Sequence, residues 1–183
     1  MSKFYGDVRQ LGYVVPDIKA AMQHWADGLG VGPWFYLGEV AVEDAIVKGK
    51  TMSGSLKMAL ANSGDLQIEL IEPVKGALPY HDFLDETGGV GGLQHLSSWP
   101  APDQFEKIVE AHKKSGDDFL IEGKISGTKF VYLDSQTHHG TLFELASPSD
   151  QSKRFFKRVK DASIDWDGSD PIVPIGAGRA EYL

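Results

Sequence analysis

The chain has 183 residues and a formal net charge of −8, from 26 acidic and 18 basic side chains. This length fits one domain, or two small modules that share a core, and the acidic balance argues against nucleic acid, whose binding needs a clustered basic surface. No apolar run reaches the roughly 20 residues that span a bilayer, no signal peptide is predicted at the N-terminus, and the absence of cysteine fits a reducing cytoplasm.

The first part of the chain predicts one helix between several strands. Residues 10–17, QLGYVVPD, read as a short strand that ends before Asp17. The next thirteen residues repeat apolar side chains at helical spacing, so we expect a helix capped by Asp17 and stopped at Gly30. The segments GPWFYLGEV, DAIVKGKTM, SLKMALANS and LQIELIEP then predict further strands, the last of which carries Glu69.

A linker at residues 75–92 separates this part from a second one. It contains PYHDFLDE, which predicts a short helix, and the run GGVGG, which predicts a turn.

The second part repeats the order of the first. HLSSWPAPD again gives a short strand followed by an Asp, and Asp103 is expected to cap a helix that stops at Gly116. DFLIEGKI, TKFVYLDS and TLFELASP predict the following strands, with Glu144 at the position that Glu69 occupies in LQIELIEP. Strands that follow one helix, rather than alternating with helices, indicate a mainly antiparallel sheet in an α+β fold.

The C-terminal residues 149–183 lie outside the repeat. Residues 149–160 predict a helix capped by Ser149 or Asp150, followed by an extended tail over the domain or its partner. The locally basic stretch from Lys153 to Lys160 is interpreted as a solvated helix face.

The repeat pairs four positions that could bind a metal. Gln10 and His95 open equivalent strands, and Glu69 and Glu144 lie within strands that are apolar on both faces. A carboxylate in such a strand is at least partly removed from water and needs a cation or a proton. Neither strand contains Lys or Arg, so a divalent metal between the two halves is the partner that satisfies both carboxylates.

The segments QLGYVVPDIKAAMQHW, HLSSW and GTLFELASP resemble the vicinal-oxygen-chelate superfamily, which includes glyoxalase I, methylmalonyl-CoA epimerase, extradiol dioxygenases and bleomycin resistance proteins. The resemblance covers about residues 8–148. It implies two βαβββ modules, at about 8–74 and 93–148, whose curled mixed or antiparallel sheet encloses a central metal cavity within one domain at 1–148. It also implies a homodimer.

The resemblance further implies one divalent metal per chain (Zn, Ni, Co, Mn or Fe) held by Gln10, Glu69, His95 and Glu144. This order of ligands is similar to that of glyoxalase I. The amino-acid sequences of the strands are closer to those of the epimerases, whose first ligand is usually His. Gln10 departs from that epimerase pattern.

The chemistry expected of three oxygen donors and one imidazole is proton transfer next to a metal-bound carbonyl, which stabilises an enediolate. The resemblance implies that a metal-bound Glu is the base, with Glu144 the first choice and Glu69 the second, as partner acid on the opposite face. This chemistry gives a lyase or isomerase. An extradiol-type dioxygenase is the alternative, because the tandem His138 and His139 could supply a second imidazole. A binding or resistance protein is the third reading.

Substrate contacts are predicted at lower weight for Trp99, Tyr132, His138 and His139. The substrate itself stays open among glutathione adducts, coenzyme A thioesters and free ketoacids, because no basic cluster for a large anionic carrier stands out in the sequence.

Overall fold

The computed structural model describes residues 2–76, 78–116, 119–134 and 138–175. Each half of the chain supplies one strand, one helix and then further strands. The elements, in chain order, are β1 (Val8–Val14), α1 (Ile18–Leu29), β2 (Trp34–Val47), β3 (Lys50–Thr51), β4 (Gly54–Ser63), β5 (Leu66–Lys75), α2 (Pro79–Glu86), β6 (Gly92–Ser98), α3 (Pro102–Ser115), β7 (Phe119–Ile125), β8 (Thr128–Leu133), β9 (Leu142–Ser147), α4 (Asp150–Ser163) and β10 (Ile172–Pro174).

The strands form one mixed sheet that curls around an axis, which confirms the predicted α+β fold. Its order is β10-β2-β4-β5-β1-β6-β9-β8-β7, and β7 pairs back with β2. Within each half the first strand runs parallel to the last, as β1 does with β5 and β6 with β9. The halves meet where β1 and β6 pair in antiparallel fashion. The four strands expected to carry metal ligands are therefore consecutive neighbours, in the order β5-β1-β6-β9.

Alternation along the strands sorts the apolar side chains into three buried clusters. One face of the sheet points inwards and carries a large inner core, which includes Val14, Leu60 and Phe130. The outer face is covered by α1 in the first half, over a cluster with Ile68 and Leu70, and a third cluster forms around Phe105 of α3. The four predicted metal ligands, which are polar, interrupt this apolar pattern at the centre of the sheet.

The segment beyond the repeat adds to the same body. Ser149 caps α4 by accepting from the Ser152 N–H, as predicted. α4 packs on β4, and its Phe155 and Val159 are buried in the inner core. The tail then returns as β10, parallel to the start of β2, while its last residues, 176–183, lie outside the described part of the chain.

Three local predictions are wrong. The segments GPWFYLGEV and DAIVKGKTM share one strand, β2, which continues through Asp44 to Val47 although Asp44 takes a left-handed conformation (φ 51°) and the pairing register shifts there. The second segment also contains Lys50–Thr51, which form the separate strand β3. Gln10 and His95 lie inside β1 and β6 rather than opening them. Asp103 does not cap α3, since Pro102 is already its first residue and Ala101 stands at the N-cap.

Other local predictions are confirmed. Asp17 caps α1 by accepting from the N–H groups of Lys19 and Ala20, and Gly30 ends it in the left-handed conformation. PYHDFLDE is the helix α2, and Gly116 ends α3. None of the described helices is both long and apolar enough to cross a bilayer.

The two aspartates provide a matched test of capping. Asp17→Ala should lower the free energy of unfolding by about 1 kcal/mol, because two N–H groups of α1 lose their acceptor. Asp103→Ala should leave it essentially unchanged, because the exposed Asp103 contacts only the flexible Lys107 four residues later. Urea denaturation measures both, and equal losses in the two variants would contradict this assignment.

Candidate metal centre

The four predicted ligands meet at the seam between the halves. Gln10 lies on β1, Glu69 on β5, His95 on β6 and Glu144 on β9, and these four strands are adjacent in the sheet. All four side chains are buried: His95 is 0% exposed, Gln10 5%, and each glutamate 7%. The four positions that the sequence repeat pairs therefore lie on adjacent strands, and the burial expected for the two carboxylates is observed.

His95 contacts both carboxylates. Its Nε2 lies 3.5 Å from Glu69 Oε2 and 3.9 Å from Glu144 Oε2. Glu144 Oε2 is buried and has no hydrogen-bond partner among the described residues. An unpaired buried carboxylate oxygen is costly, so this atom is the strongest sign that the site is built for an additional positive group.

The electrostatics reflect that arrangement. Burial raises the pKa of Glu144 to about 7; the charge of His95 opposes the shift and that of Glu69 adds to it. Burial by itself would lower the pKa of His95, but its contact with Glu69 and the charges of Glu144 and Glu69 outweigh burial and raise the pKa. The raised pKa values of Glu144 and His95 both show that protonation is favoured at these two buried side chains.

Two buried glutamines contact two of the predicted metal ligands, Gln10 and His95. The Gln10 Nε2 donates to Gln67 Oε1 at 2.8 Å, and this contact is buried. With its N–H group engaged there, Gln10 has its amide oxygen left for the site, which is the atom that binds cations. On the other side, His95 Nδ1 lies 3.0 Å from Gln94 Oε1. Donation from Nδ1 to that oxygen fixes the tautomer that leaves Nε2 free as a metal ligand.

A chain of buried hydroxyl groups closes the site from behind. The Tyr132 hydroxyl lies 3.3 Å from His95 Nδ1 and 3.4 Å from its Nε2, and the Tyr80 hydroxyl lies 3.2 Å from that of Tyr132. Burial raises the pKa of both tyrosines, so both hydroxyls stay protonated. As neutral groups they form a hydrogen-bonded pair beside the imidazole of His95.

Gln10, Glu69 and Glu144 face a cavity of about 440 Å³, a size suited to a small ligand. His95 lies directly behind them. Most of the remaining wall is apolar and comes from both halves and from α4: Leu37, Met58, Leu60, Trp99, Ile125, Phe130, Ala146, Phe155 and Phe156. The mouth includes Glu43 and the turn Ser126–Thr128.

The donor set fits a divalent metal. Two donors held about 2.1 Å from a cation are separated by between about 3.0 and 4.2 Å, depending on their angle, and both His95–carboxylate distances fall in this range. Within the described residues, no three His, Cys, Asp or Glu side chains stand in a preformed metal-binding arrangement. Binding would therefore require the carboxylate oxygens to turn towards a common centre, with the Gln10 amide as fourth donor.

The other predicted contact residues separate into two groups. Trp99 lines the cavity as expected, and Tyr132 is buried against His95 rather than lining the cavity. His138 and His139 line neither of the two cavities that the structure describes. His139 instead packs its ring edge-on against Phe83, at 5.6 Å between centroids.

The sequence analysis did not identify several residues that lie at the site. Gln67 has a visible signal, since strand alternation puts it on the same face as Glu69. For Gln94 and Tyr80, no local sequence pattern indicates a place at the site. Gly12 was also missed: it pairs with His95 across the β1–β6 seam, and a Cβ atom there would lie 1.8 Å from the imidazole.

Comparison with known protein families gives one match. The family model described as the glyoxalase/bleomycin resistance protein/dioxygenase superfamily matches residues 9–132. This range contains three of the four predicted ligands; Glu144 and α4 lie beyond it. YqjC, an uncharacterized protein of Bacillus subtilis strain 168, is 27% identical over 140 residues, which are 75% of this chain and 89% of that protein.

Solved structures share the fold. The methylmalonyl-CoA epimerase of Mycobacterium tuberculosis superposes with a TM-score of 0.58 at 17% identity, over 84% of this chain and 95% of that one. A hypothetical protein from Bacillus halodurans C-125 gives 0.55 at 22% identity, over 79% and 95%. At these identities the likeness is one of architecture.

Gly12 provides a test of the packing at the seam. Gly12→Ala should lower the free energy of unfolding by about 2 kcal/mol or more and displace the imidazole, because the new methyl group overlaps the His95 ring. Gly28→Ala in α1 is the control: its nearest side-chain atoms are 3.6 Å away, and alanine favours a helix, so stability should hold or rise. Denaturation curves and the His95 NMR signals measure both effects. An unchanged His95 environment in Gly12→Ala would refute the close packing.

Proposed function

The chain belongs to the glyoxalase/bleomycin resistance protein/dioxygenase superfamily, and from this premise we propose that it is a metal-dependent isomerase or lyase. Its reaction is the removal of a proton next to a carbonyl group of a small substrate. The observation that carries the proposal is the buried Glu144 Oε2, which has no hydrogen-bond partner and lies beside His95 and Glu69 at the edge of the cavity.

Gln10, Glu69, His95 and Glu144 are the residues we propose as ligands. When bound there, a divalent cation polarises the substrate carbonyl and so acidifies the neighbouring C–H bond. The donor set of three oxygens and one nitrogen suits Zn, Ni, Co, Mn or Fe. Gln67 and Gln94 hold the amide of Gln10 and the imidazole of His95 in the orientation that such binding needs.

The protein residues then move the proton. Glu144 would take it from the substrate carbon with a carboxylate oxygen that is not engaged in binding the cation, and the electron pair of the broken C–H bond would move onto the carbonyl group. Glu69, the second carboxyl group on the cavity wall, would return a proton from its acid form. Exchange with solvent would then remove the proton from Glu144 and restore the one on Glu69. Return to the same carbon gives an epimerase, and return to the adjacent carbon gives a glyoxalase-type product. The apolar walls from Met58, Leu60 and Phe130 exclude water, which strengthens these interactions.

Epimerase chemistry belongs to the same reaction class, and solved structures of methylmalonyl-CoA epimerases share this fold. The alternative, a ring-cleaving dioxygenase, needs a second imidazole at the metal. His138 and His139 are the candidates for it, and neither lines the cavity, so we favour proton transfer. A resistance-type binding protein remains the third reading. It predicts less than one metal per chain and tight binding of an aromatic compound.

A homodimer and a cytoplasmic location are further parts of the proposal. Sedimentation analysis tests the first, and fractionation of the native host tests the second.

The reaction class is tested by solvent exchange. Metal-loaded protein in D₂O should exchange the α-hydrogen of at least one carbonyl compound among coenzyme A thioesters, glutathione hemithioacetals and ketoacids, and chelator-treated protein should not. Glu144→Gln should slow the exchange by about 10²–10⁴-fold while keeping its metal, because an amide cannot accept the proton. Mass spectrometry measures exchange and elemental analysis measures the metal. Full exchange in both Glu144→Gln and Glu69→Gln would refute these roles.

The orienting role of Gln67 is tested through binding of cobalt. Gln67→Leu should weaken Co²⁺ binding by about 10- to 100-fold, because the Gln10 amide loses the acceptor that fixes its orientation. The visible Co²⁺ spectrum reports the change of ligand field directly and independently of activity. Gln104→Leu, on the exposed face of α3, is the matched control and should bind cobalt as the unmodified protein does. Unchanged affinity in Gln67→Leu would contradict the orienting role.

A further inference from the structure

A second cavity lies beside the first and shares a wall with it. This outer groove has a volume of about 1110 Å³ and is formed by the N-terminal residues, the start of α3, the β4–β5 hairpin and α4. Trp99 and Phe156 line both cavities. Their rings stack at 4.9 Å between centroids, so an aromatic pair separates the outer groove from the metal-ligand cavity.

The outer groove is basic although the protein is acidic. Among its described lining residues are six of the chain's 18 basic side chains and only two of its 26 acidic ones. The six cations come from four separate segments: Lys3, Arg9, Lys107, Lys153, Lys157 and Lys160. In a chain with net charge −8, such a concentration of positive charge marks a surface that attracts anions.

The basic residues of α4 face the groove by helical geometry. Lys153, Lys157 and Lys160 follow one another at spacings of four and three residues, which puts them on one side of the helix. Phe155 and Val159 are buried on another side, in the inner core. The same helix thus closes the inner cavity with its apolar side and lines the outer groove with its charged side.

The three lysines of α4 form ion pairs within the chain, but these pairs hold them only weakly. Lys153 pairs with Asp150 at 3.3 Å, Lys157 with Asp161 at 2.5 Å, and Lys160 with Asp65. All three pairs are exposed, and such pairs contribute little to stability. The ammonium groups can therefore turn towards a ligand. Arg9 lies over the Trp99 ring, 5.9 Å from its centroid, at the wall that the two cavities share.

We propose that the outer groove binds the phosphate-bearing carrier portion of the substrate, while the reactive carbonyl passes the Trp99–Phe156 pair into the inner cavity. This inference rests on the proposed function, because it assigns a substrate class to the same site. A free ketoacid carries one negative charge and fits the inner cavity alone. A glutathione adduct carries two carboxylates and one ammonium group. A carrier with several phosphates matches the six cations of the groove better than either of these, because its charge can replace the exposed ion pairs that the lysines form.

Part of the groove lies outside the range that the family model matches. That match covers residues 9–132 and ends before α4 begins, and α4 supplies three of the six cations as well as Phe156. Lys3 also lies outside it, whereas Arg9, Lys107 and Trp99 lie within it. Four of the six cations on which the substrate class is inferred are therefore outside the matched range.

The first experiment measures phosphate binding without the metal site. The full chain, stripped of metal, is titrated with ADP and with inorganic tripolyphosphate in a calorimeter. Both should bind, and affinity should fall as ionic strength rises from about 0.05 M to about 0.3 M, because exposed charges are screened. Lys153→Ala combined with Lys157→Ala should weaken binding by about five- to thirtyfold, at up to a factor of about five for each charge.

The control variant removes two lysines of the same kind elsewhere. Lys124 and Lys129 are exposed, pair with Asp44 at 2.6 Å and Glu106 at 2.7 Å, and line neither cavity. Lys124→Ala combined with Lys129→Ala should leave binding within about twofold of the unmodified protein. Absence of phosphate binding, or equal losses in both double variants, would overturn the proposal. Either result would leave the metal-dependent exchange reaction untouched as a separate test.

The second experiment distinguishes a substrate carrier from a free nucleotide. An acyl coenzyme A thioester should bind more tightly than ADP, and only the thioester should bind more tightly still once Co²⁺ is added, because only its carbonyl can reach the inner cavity. The same acyl group on N-acetylcysteamine, which lacks phosphates, should be insensitive to loss of Lys153 and Lys157. Equal binding of ADP and the thioester, with or without cobalt, would identify an independent nucleotide site and overturn the proposal.

Discussion

Two buried carboxylates, Glu69 and Glu144, lie within 3.9 Å of the buried imidazole of His95. Charge so far from water must be matched by an opposite charge or neutralised by protons. Every notable feature of the central sheet serves this requirement. The carboxylates arrive from strands that flank the seam on either side, the imidazole comes from the seam itself, and one carboxylate oxygen is left without a partner. The proposed divalent cation would satisfy all three conditions together.

The same requirement explains details that packing alone leaves without a reason. Gly12 has an ordinary backbone conformation, and its missing side chain is what gives the His95 ring its place on the sheet. Gln67 and Gln94 are buried amides, which is unusual for glutamine, and each contacts one of the proposed ligands. Polar groups surround the ligands on the inner face, and the apolar residues on the opposite face of the same strands pack under the helices. Because side chains alternate along each strand, the polar residues of the site lie on the inner face and the apolar residues that pack under the helices lie on the outer face.

The repeat made much of this predictable. Glu69 and Glu144 stand in matching apolar strands, and Gln10 and His95 in matching first strands, so the sequence indicated which positions should meet. The contacts between Gln10 and Gln67 and between Gly12 and His95 depend on strand register, which one sequence does not reveal. Asp103 had the same sequence context as Asp17, but the helix starts at Pro102, two residues earlier than predicted, which places Asp103 inside its first turn. Only part of the outer groove is visible in the sequence, as the basic stretch from Lys153 to Lys160, which was interpreted as a solvated helix face. Its other cations, Lys3, Arg9 and Lys107, are far apart in the sequence, so the groove itself could not be predicted.

The two cavities also differ in charge, and this difference orients a substrate. The described lining of the inner cavity contains Glu69 and Glu144 but no lysine or arginine, so it offers an anionic carrier no opposite charge. Lys153, Lys157 and the other cations hold such a carrier outside, beyond Trp99 and Phe156. A substrate with phosphates at one end and a carbonyl at the other therefore has one favourable orientation. A cation at the four predicted metal ligands would reinforce it, because it would offset the inner negative charge only where the carbonyl oxygen has to bind.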